Sequence, residues 1–428
     1  MRESNRMILA IKRFIRWINI DYPVKLIILN WRKISYFLRY GHISVENSIV
    51  FESFRGICIS DSPLELFKVI KNNPRFSGYK FVWVLDNLNL EEMTKLYPDV
   101  KFVKRGSKDY NVAYASSRFW ISNGVIPLHF KKKLNQRYIQ CWHGTPLKKI
   151  GLDVEYDKNS LHSKRFLDFA FKLDSSRYDY IVSPSIYATD RFKTAFCLGN
   201  NVKIIEAGYP RNDDLCLLAS DNKYRSNLKR KLGIDNKKKV ILFCPTFRDE
   251  LYRLDVKSIW YQSLLTISKI IGEDWVIIFR SHYYDASEIP NFDNIINVSK
   301  VFSVNDVFLA SDCLISDYSS VIFDYSILDR PIYLFAKDYD KYNNSTRGMY
   351  FDISKKYGFN IYDDEFDLVT AIKEKKQLHK ECSFKLKSDF CKNDDGFAAS
   401  RVINMIIDCE FEKESLNKDF INVEHKND

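Results

Sequence analysis

Beyond residue 45 the chain alternates short apolar runs with longer polar or amphipathic stretches, and this rhythm restricts the fold more than any other feature. The runs are Ile49–Phe51, Phe81–Leu85, Phe119–Ser122, Tyr138–Trp142, Tyr180–Ser183 and Lys203–Glu206. After a charged stretch they resume as Val240–Cys244, Trp275–Phe279, Ile295–Val298, Cys313–Ser316 and Ile332–Phe335. Strands that alternate with helices build parallel sheets flanked by helices. Eleven runs are too many for one ordinary sheet and suit two doubly wound domains, for which 428 residues suffice.

The break is expected in the polar, basic stretch 213–237, with a helix over Lys223–Leu232 opening the second domain. This gives a basic N-terminal helical extension (1–45), a first Rossmann-like domain (46–215), a second (216–412) and a polar tail (413–428). Two such α/β domains facing each other across a cleft form the architecture called GT-B, found in nucleotide-dependent transferases. Fold alone does not fix function.

The formal net charge is +11, and residues 1–41 carry seven of those charges. Ile8, Ile11, Ile15 and Ile18 recur at helical spacing beside Phe14 and Trp17, with Lys12, Arg13 and Arg16 nearer the other side. A basic amphipathic helix with aromatics reads as a membrane-surface element, each basic residue contributing about 1 kcal/mol near an anionic leaflet. A helix packed on the protein, or a partner-binding arm, would share the pattern. No stretch approaches the ~18 apolar residues of a membrane span, and no secretory signal is evident. Nine cysteines without a Cys-x-x-Cys pair, several inside apolar runs (Cys141, Cys244, Cys313), suit a reducing compartment. The expected location is therefore cytoplasmic, peripheral on the inner face of the membrane. The other aromatics lie in core-like runs rather than a basic stripe, which speaks against nucleic-acid binding.

Candidate chemistry clusters at the ends of apolar runs. Tyr138–Trp142 leads into His143-Gly144-Thr145-Pro146-Leu147-Lys148-Lys149, which suits a strand, a tight loop and a helix capped by Thr145 with Pro146 at its first position. Gly144 would let a ligand approach the backbone, and a helix start attracts anions. Arg280-Ser281-His282 follows Trp275–Phe279, supplying a phosphate ligand and a proton donor. Cys313–Ser316 leads into Asp317-Tyr318-Ser319-Ser320, where hydroxyls and helix-start amides can hold a pyrophosphate without a glycine-rich loop. Pro245-Thr246-Phe247-Arg248-Asp249 follows Val240–Cys244 in the same way. Gly208-Tyr209-Pro210-Arg211-Asn212-Asp213 enters the interdomain cleft, or serves as a plain turn, and Arg347-Gly348 could face phosphate. No Walker loop, Gly-x-Gly-x-x-Gly, His-Glu-x-x-His or cysteine-rich metal set occurs. Asp338-Tyr339-Asp340 is a formal Asp-x-Asp of the kind chance supplies. No cofactor is implied, and a divalent-metal requirement is left open.

Taken in order, Trp142-His143-Gly144-Thr145-Pro146-Leu147-Lys148, Gly208–Asp213, Pro245–Asp249, Arg280-Ser281-His282, Ser316–Asp324, Arg330-Pro331-Ile332 and Arg347–Asp352 resemble the CDP-glycerol glycerophosphotransferase family, which builds teichoic acids and related capsule polymers. Phe51-Glu52-Ser53-Phe54 resembles that family's first strand, and the likeness runs from about 46 to 405. It implies transfer of an alditol phosphate, glycerol phosphate foremost, from a CDP-alditol to a hydroxyl of a growing polymer or lipid-linked acceptor, releasing CMP. It also implies a donor held mainly by the second domain, an acceptor side on the first, and attachment to the inner membrane face. Carried onto this chain, it makes His143 the candidate base and His282, with Arg280, the group that stabilises the donor phosphates or departing CMP, with the sequence leaving open which histidine does which. Gly144, Thr145, Thr246, Arg248, Asp317, Ser319, Ser320, Asp324 and Arg347 complete the donor set, and Lys148, Tyr209, Arg211 and Asn212 the acceptor side or cleft. Without a long extra N-terminal domain or a repeat array, it would be a single-module transferase that adds one unit or many. A GT-B glycosyltransferase using a nucleotide sugar, and a non-enzymatic basic lipid- or nucleic-acid-binding protein, are the alternatives.

Overall fold

A computed structural model describes residues 21–86, 90–155, 162–246, 257–280, 294–299, 303–339, 348–374 and 377–411. Residues 8–18 of the expected amphipathic helix and the tail 413–428 lie outside the described residues. So do Arg248, His282, Asp340 and Arg347.

Two parallel sheets form, as the alternating pattern predicts. The first holds β1 (Glu46–Glu52), β2 (Lys80–Leu85), β3 (Val100–Lys104), β4 (Ser117–Ser122), β5 (Arg137–Gln140), β6 (Tyr180–Ser183) and β7 (Lys203–Glu206), in the order β3-β2-β1-β4-β5-β6-β7. The second holds β8 (Lys239–Cys244), β9 (Trp275–Phe279), β10 (Ile295–Asn297), β11 (Cys313–Ser316), β12 (Ile332–Phe335) and β13 (Ile361–Tyr362), in the order β10-β9-β8-β11-β12-β13. All eleven expected runs are strands. The two unexpected ones, β3 and β13, are edges. An edge strand buries less, and Val-Lys-Phe-Val-Lys in β3 exposes both its lysines, so no apolar run betrays it.

The two sheets repeat one topological device. The chain lays down β1 to β3 outward, then returns to the far side of β1 with β4; it does the same with β8 to β10 and then β11. Each reversal leaves a crevice at the carboxyl ends of two adjacent strands, the place where doubly wound sheets bind ligands. In the first sheet these ends are Ser53-Phe54-Arg55 and Asn123-Gly124. In the second they are Pro245-Thr246 and Asp317-Tyr318.

The helix Asn222–Lys231 opens the second unit where the sequence placed one. The other end of that unit differs from expectation. The last helix, Ala398–Glu410, does not pack on the second sheet: Ala399, Val402, Ile403 and Ile406 enter the core of the first, with Ile49, Phe51, Ile139 and Val182. A single boundary at 412 therefore does not describe the packing. The cause is a set of polar anchors in the first unit. Asp213 accepts from the amides of Ala398 and Ala399 (2.9 and 2.8 Å), capping the helix from a distance. Arg137 and Tyr180 hold Glu410 at its other end (2.7 and 2.5 Å). The two chain crossings between the lobes lie side by side. Gly208, at φ 86°, sits where a Cβ would come within 2.4 Å of the Asn393 carbonyl oxygen, so only glycine fits.

The helix Asp21–Tyr40 seats Tyr36 against Tyr40, Phe130 and His129. Its first turn is tied down by Asp21, which accepts from Lys25 and from the Ser163 amide. Ile27, Trp31, Ile34 and Leu38 share its other face and are 69%, 66%, 60% and 73% exposed. Among the described residues no helix is long and apolar enough to cross a membrane.

Replacing the buried Ile403 by alanine should remove about 2–5 kcal/mol of stability from the first unit. Urea unfolding followed by tryptophan fluorescence, which Trp83 and Trp120 in that unit report, checks this.

Candidate functional site

The two crevices face each other, and loop-to-loop hydrogen bonds close the base of each. On the first sheet the Phe54 amide donates to Asn123 Oδ1 (2.8 Å). On the second the Thr246 amide and hydroxyl donate to Asp317 (3.0 and 2.5 Å). Asp317 was expected to touch donor phosphates. Buried to 2% exposure and acceptor-only when ionised, it instead fixes the Thr246 loop.

His143 rises from the first crevice. The strand before it stops two residues early, at Gln140, because Trp142 adopts φ 51° and its amide donates to Gln140 Oε1 (2.9 Å). The turn throws the imidazole toward the strand ends, where its ring stacks on Trp142 (4.2 Å) and meets the edge of Phe54 (6.2 Å). His143 Nδ1 lies 2.7 Å from the Asn123 carbonyl oxygen. A carbonyl only accepts, so Nδ1 carries the proton and Nε2 of the neutral ring is left basic. Its solvent access comes from within the cleft, and the surrounding protein lowers its proton affinity below that of an ordinary histidine. Desolvation is the main cause; the Asn123 carbonyl and Asp61 act the other way, Arg211 and Arg55 with it.

The segment after His143 corrects one expectation. Thr145 and Pro146 start no helix; residues 141–150 are irregular. Their backbone pairs instead with a loop of the second lobe: the Lys149 amide donates to the Gly348 carbonyl (3.1 Å) and the Tyr350 amide to the Leu147 carbonyl (2.9 Å). Leu147 is buried in the second lobe's core, which outweighs a helix start. Thr145 is buried below the cleft surface at 1% exposure and caps nothing. Lys148 continues across, reaching the Thr246 hydroxyl (3.4 Å) and the Tyr318 ring (5.0 Å). It was expected at the acceptor side or the cleft, and it spans the cleft to the second lobe's loops.

Gly144 faces Ser320 of the second lobe so closely that a Cβ on Gly144 would lie 2.9 Å from Ser320 Oγ. Ser319 and Ser320 are half-buried at the start of the short helix Val321–Ser326, while Arg280, at the carboxyl end of β9, donates to the Val298 carbonyl (3.4 Å). His143, Gly144, Lys148, Thr246, Ser319 and Ser320 are thus brought to the cleft.

Asp324, Tyr209, Arg211 and Asn212 form something else. Arg211 sends one guanidinium nitrogen to the His143 carbonyl (2.9 Å) and Asp61 (3.4 Å), and the other to Asp324 across the cleft (2.5 Å). Asn212 also donates to Asp324 (3.1 Å). Tyr209, 1% exposed, lies under the guanidinium (4.8 Å) and is packing rather than a cleft contact. Asp324 spends both oxygens on this clamp, so it is a positioning residue rather than a phosphate neighbour. Sequence reasoning missed Asn123 and Asp61. The signal was present for Asn123, since Asn-Gly directly follows an apolar run. Among the described residues no group of His, Cys, Asp or Glu is placed to hold a metal ion.

Arg211→Ala would strand Asp61 and Asp324 without their shared cation, at a cost of about 3–5 kcal/mol, while Arg211→Lys should restore only part because one ammonium cannot span three acceptors. Urea titration of both variants and of Arg211→Ala/Asp324→Asn, expected to recover part of the loss, checks this.

A neutral imidazole tied through one nitrogen, with its other nitrogen left basic, can deprotonate a hydroxyl. Comparison with known proteins agrees in kind. A family model described as CDP-Glycerol:Poly(glycerophosphate) glycerophosphotransferase matches residues 34–408. The teichoic acid poly(glycerol phosphate) polymerase of Staphylococcus epidermidis is 35% identical over 84% of this chain, which spans 50% of that protein's length. The teichoic acid glycerol-phosphate transferase of Staphylococcus aureus is 33% identical over 84% of this chain and 93% of its own. The wall teichoic acid polymerase TagF, in a variant soaked with CDPG, has a similar structure (TM-score 0.80, 33% identity, 91% of this chain and 96% of that one). A putative UDP-N-acetylglucosamine 2-epimerase from Listeria monocytogenes, 13% identical with a TM-score of 0.54 over 86% of this chain and 97% of its own, shares the two-sheet fold alone. The chain belongs to the CDP-glycerol:poly(glycerophosphate) glycerophosphotransferase family.

Proposed function

We propose that this protein moves glycerol phosphate from CDP-glycerol to a hydroxyl of a growing cell-surface polymer or a lipid-linked acceptor, releasing CMP. The observation that carries the reading is His143, its Nδ1 committed to the Asn123 carbonyl, beside Gly144, which faces Ser320 of the second lobe. The acceptor hydroxyl gives its proton to His143 Nε2 and its oxygen attacks the phosphorus that bears glycerol. The bond from that phosphorus to the bridging oxygen breaks, and CMP leaves with the electron pair. Ser319, Ser320, the Thr246 loop and Arg280 would hold the donor phosphates, with Asp317 fixing that loop. Arg248, His282 and Arg347 complete the donor side in the reading taken from sequence. The relatives' names, teichoic acid polymerase and glycerol-phosphate transferase, support the same substrate class.

Purified protein should release CMP from CDP-glycerol in the presence of a glycerol-phosphate acceptor; release only from nucleotide sugars would end the reading. His143→Ala should lose about a hundredfold to ten-thousandfold in turnover with the fold retained. The base works only when neutral, and its proton affinity is lowered, so kcat/KM should rise through a limb below the ordinary value of 6.5 and then stay flat. A profile from about pH 5 to about pH 8, with the limb absent in His143→Ala, checks the assignment.

We also propose that the enzyme works on an anionic membrane face inside the cell, docked through the extension 1–41. The exposed row Ile27, Trp31, Ile34 and Leu38, with the exposed Arg32 and Arg39 on the same helix, supports this. Trp31→Glu/Leu38→Glu should reduce co-sedimentation with phosphatidylglycerol vesicles; unchanged sedimentation would overturn it.

A further inference from the structure

We propose that Arg55 holds a phosphate of the incoming acceptor chain at the first sheet's switch point, and so sets which acceptors are used. The inference rests on the transfer reading above and names the site on the lobe opposite the donor. Arg55 follows β1 at the carboxyl edge, beside the strand end that carries Asn123 and Gly124. This crevice corresponds, sheet for sheet, to the one formed by Thr246 and Asp317 on the second lobe. A transferase with two nearly equivalent crevices facing one another has a place for each of its two anionic substrates.

Three observations single out Arg55 there. Phe54, Arg55 and Gly56 all stand in the left-handed region, at φ 46°, 59° and 82°. Two non-glycine residues in succession at positive φ are strained, and such strain collects at ligand sites. The turn is held rigidly nonetheless: the Phe54 amide donates to Asn123 Oδ1 (2.8 Å), Gly56 to the Ser53 carbonyl (2.9 Å) and Asp86 to the Gly56 carbonyl (2.8 Å). Second, the Arg55 side chain is exposed, and among the described residues its guanidinium makes no hydrogen bond and no ion pair. The other cations beside His143 are differently placed: Arg211 is clamped between Asp61 and Asp324, while Lys148 reaches the second lobe's Thr246 and Tyr318. Third, Arg55 is close to the reacting group. Its stem passes beside Gly124, next to the residue whose carbonyl holds His143, and the ring of its neighbour Phe54 meets the imidazole.

A planar guanidinium binds a phosphodiester or phosphomonoester through paired N–H bonds. Held there, one phosphate of an alditol-phosphate chain would bring its terminal hydroxyl toward His143 Nε2. No bond is made or broken at Arg55; it positions the acceptor.

The test uses the full chain and a short synthetic glycerol-phosphate oligomer as probe, titrated calorimetrically into wild type, Arg55→Gly, Arg55→Gln and Arg55→Lys, with CDP as a donor-side control. The Gly and Gln variants should bind the oligomer on the order of tenfold more weakly, and the Lys variant should fall between them and wild type. CDP affinity should move by less than about twofold, the contact lying outside the donor crevice. In turnover, the loss should fall on KM for the acceptor more than on kcat. Arg55→Gly also relieves the strained φ, so a folding defect cannot imitate the result. Oligomer binding equal to wild type in both the Gly and Gln variants would overturn the proposal. If wild type releases no CMP from any CDP-alditol yet oligomer binding still follows Arg55, the transfer reading fails and the phosphate site stands.

Discussion

One guanidinium sets the geometry of the cleft. Arg211 lies between Asp61 of the first lobe and Asp324 of the second, and the same group holds the backbone carbonyl of His143. Desolvation opposes its charge, but the two carboxylates more than compensate and hold its proton more tightly than an ordinary arginine does. An ion triad of this kind adds little net stability over apolar packing. Its value is geometric: it ties the carbonyl of His143 to Asp324 of the second lobe, where Gly144 faces Ser320. The position of the base is therefore set by a charge on the far side of the cleft, not only by the strand that carries it.

The two lobes solve the same problem with different chemistry. At each switch point a loop amide must be satisfied by the neighbouring strand end. The first lobe uses the neutral amide of Asn123, and the second uses the carboxylate of Asp317. The neutral group sits where a base must keep its lone pair, since a carboxylate in hydrogen-bond reach of His143 would favour the imidazolium. Asp317 is turned inward to Thr246 and away from the anions expected above it.

Most of the architecture was legible because a strand buried on both faces has to be a short apolar run, and eleven such runs were strands. β3 escaped notice because an edge strand can carry lysines, and β13 because two residues make no pattern. His143, Thr246, Ser319 and Ser320 were visible as polar residues at run ends. What sequence misjudged were partners far apart in the chain. Pro146 resembles a helix start until Leu147 is seen in the other lobe's core, and Asp324 resembles a phosphate neighbour until Arg211 is seen against it. The N-terminal helix showed its basic character in composition, whereas the outward row from Ile27 to Leu38 depends on which side Tyr36 anchors.

The return of the helix Ala398–Glu410 to the first sheet bears on how the protein is made. Arg137 and Glu410 are 273 residues apart, yet they close the same core. On the ribosome the amino-terminal lobe must wait, with the apolar surface around Ile49 and Val182 uncovered, until residues 398–410 have emerged. Closure of the amino-terminal core thus waits for residues 398–410, so a chain terminated before them would present an unfinished, sticky lobe.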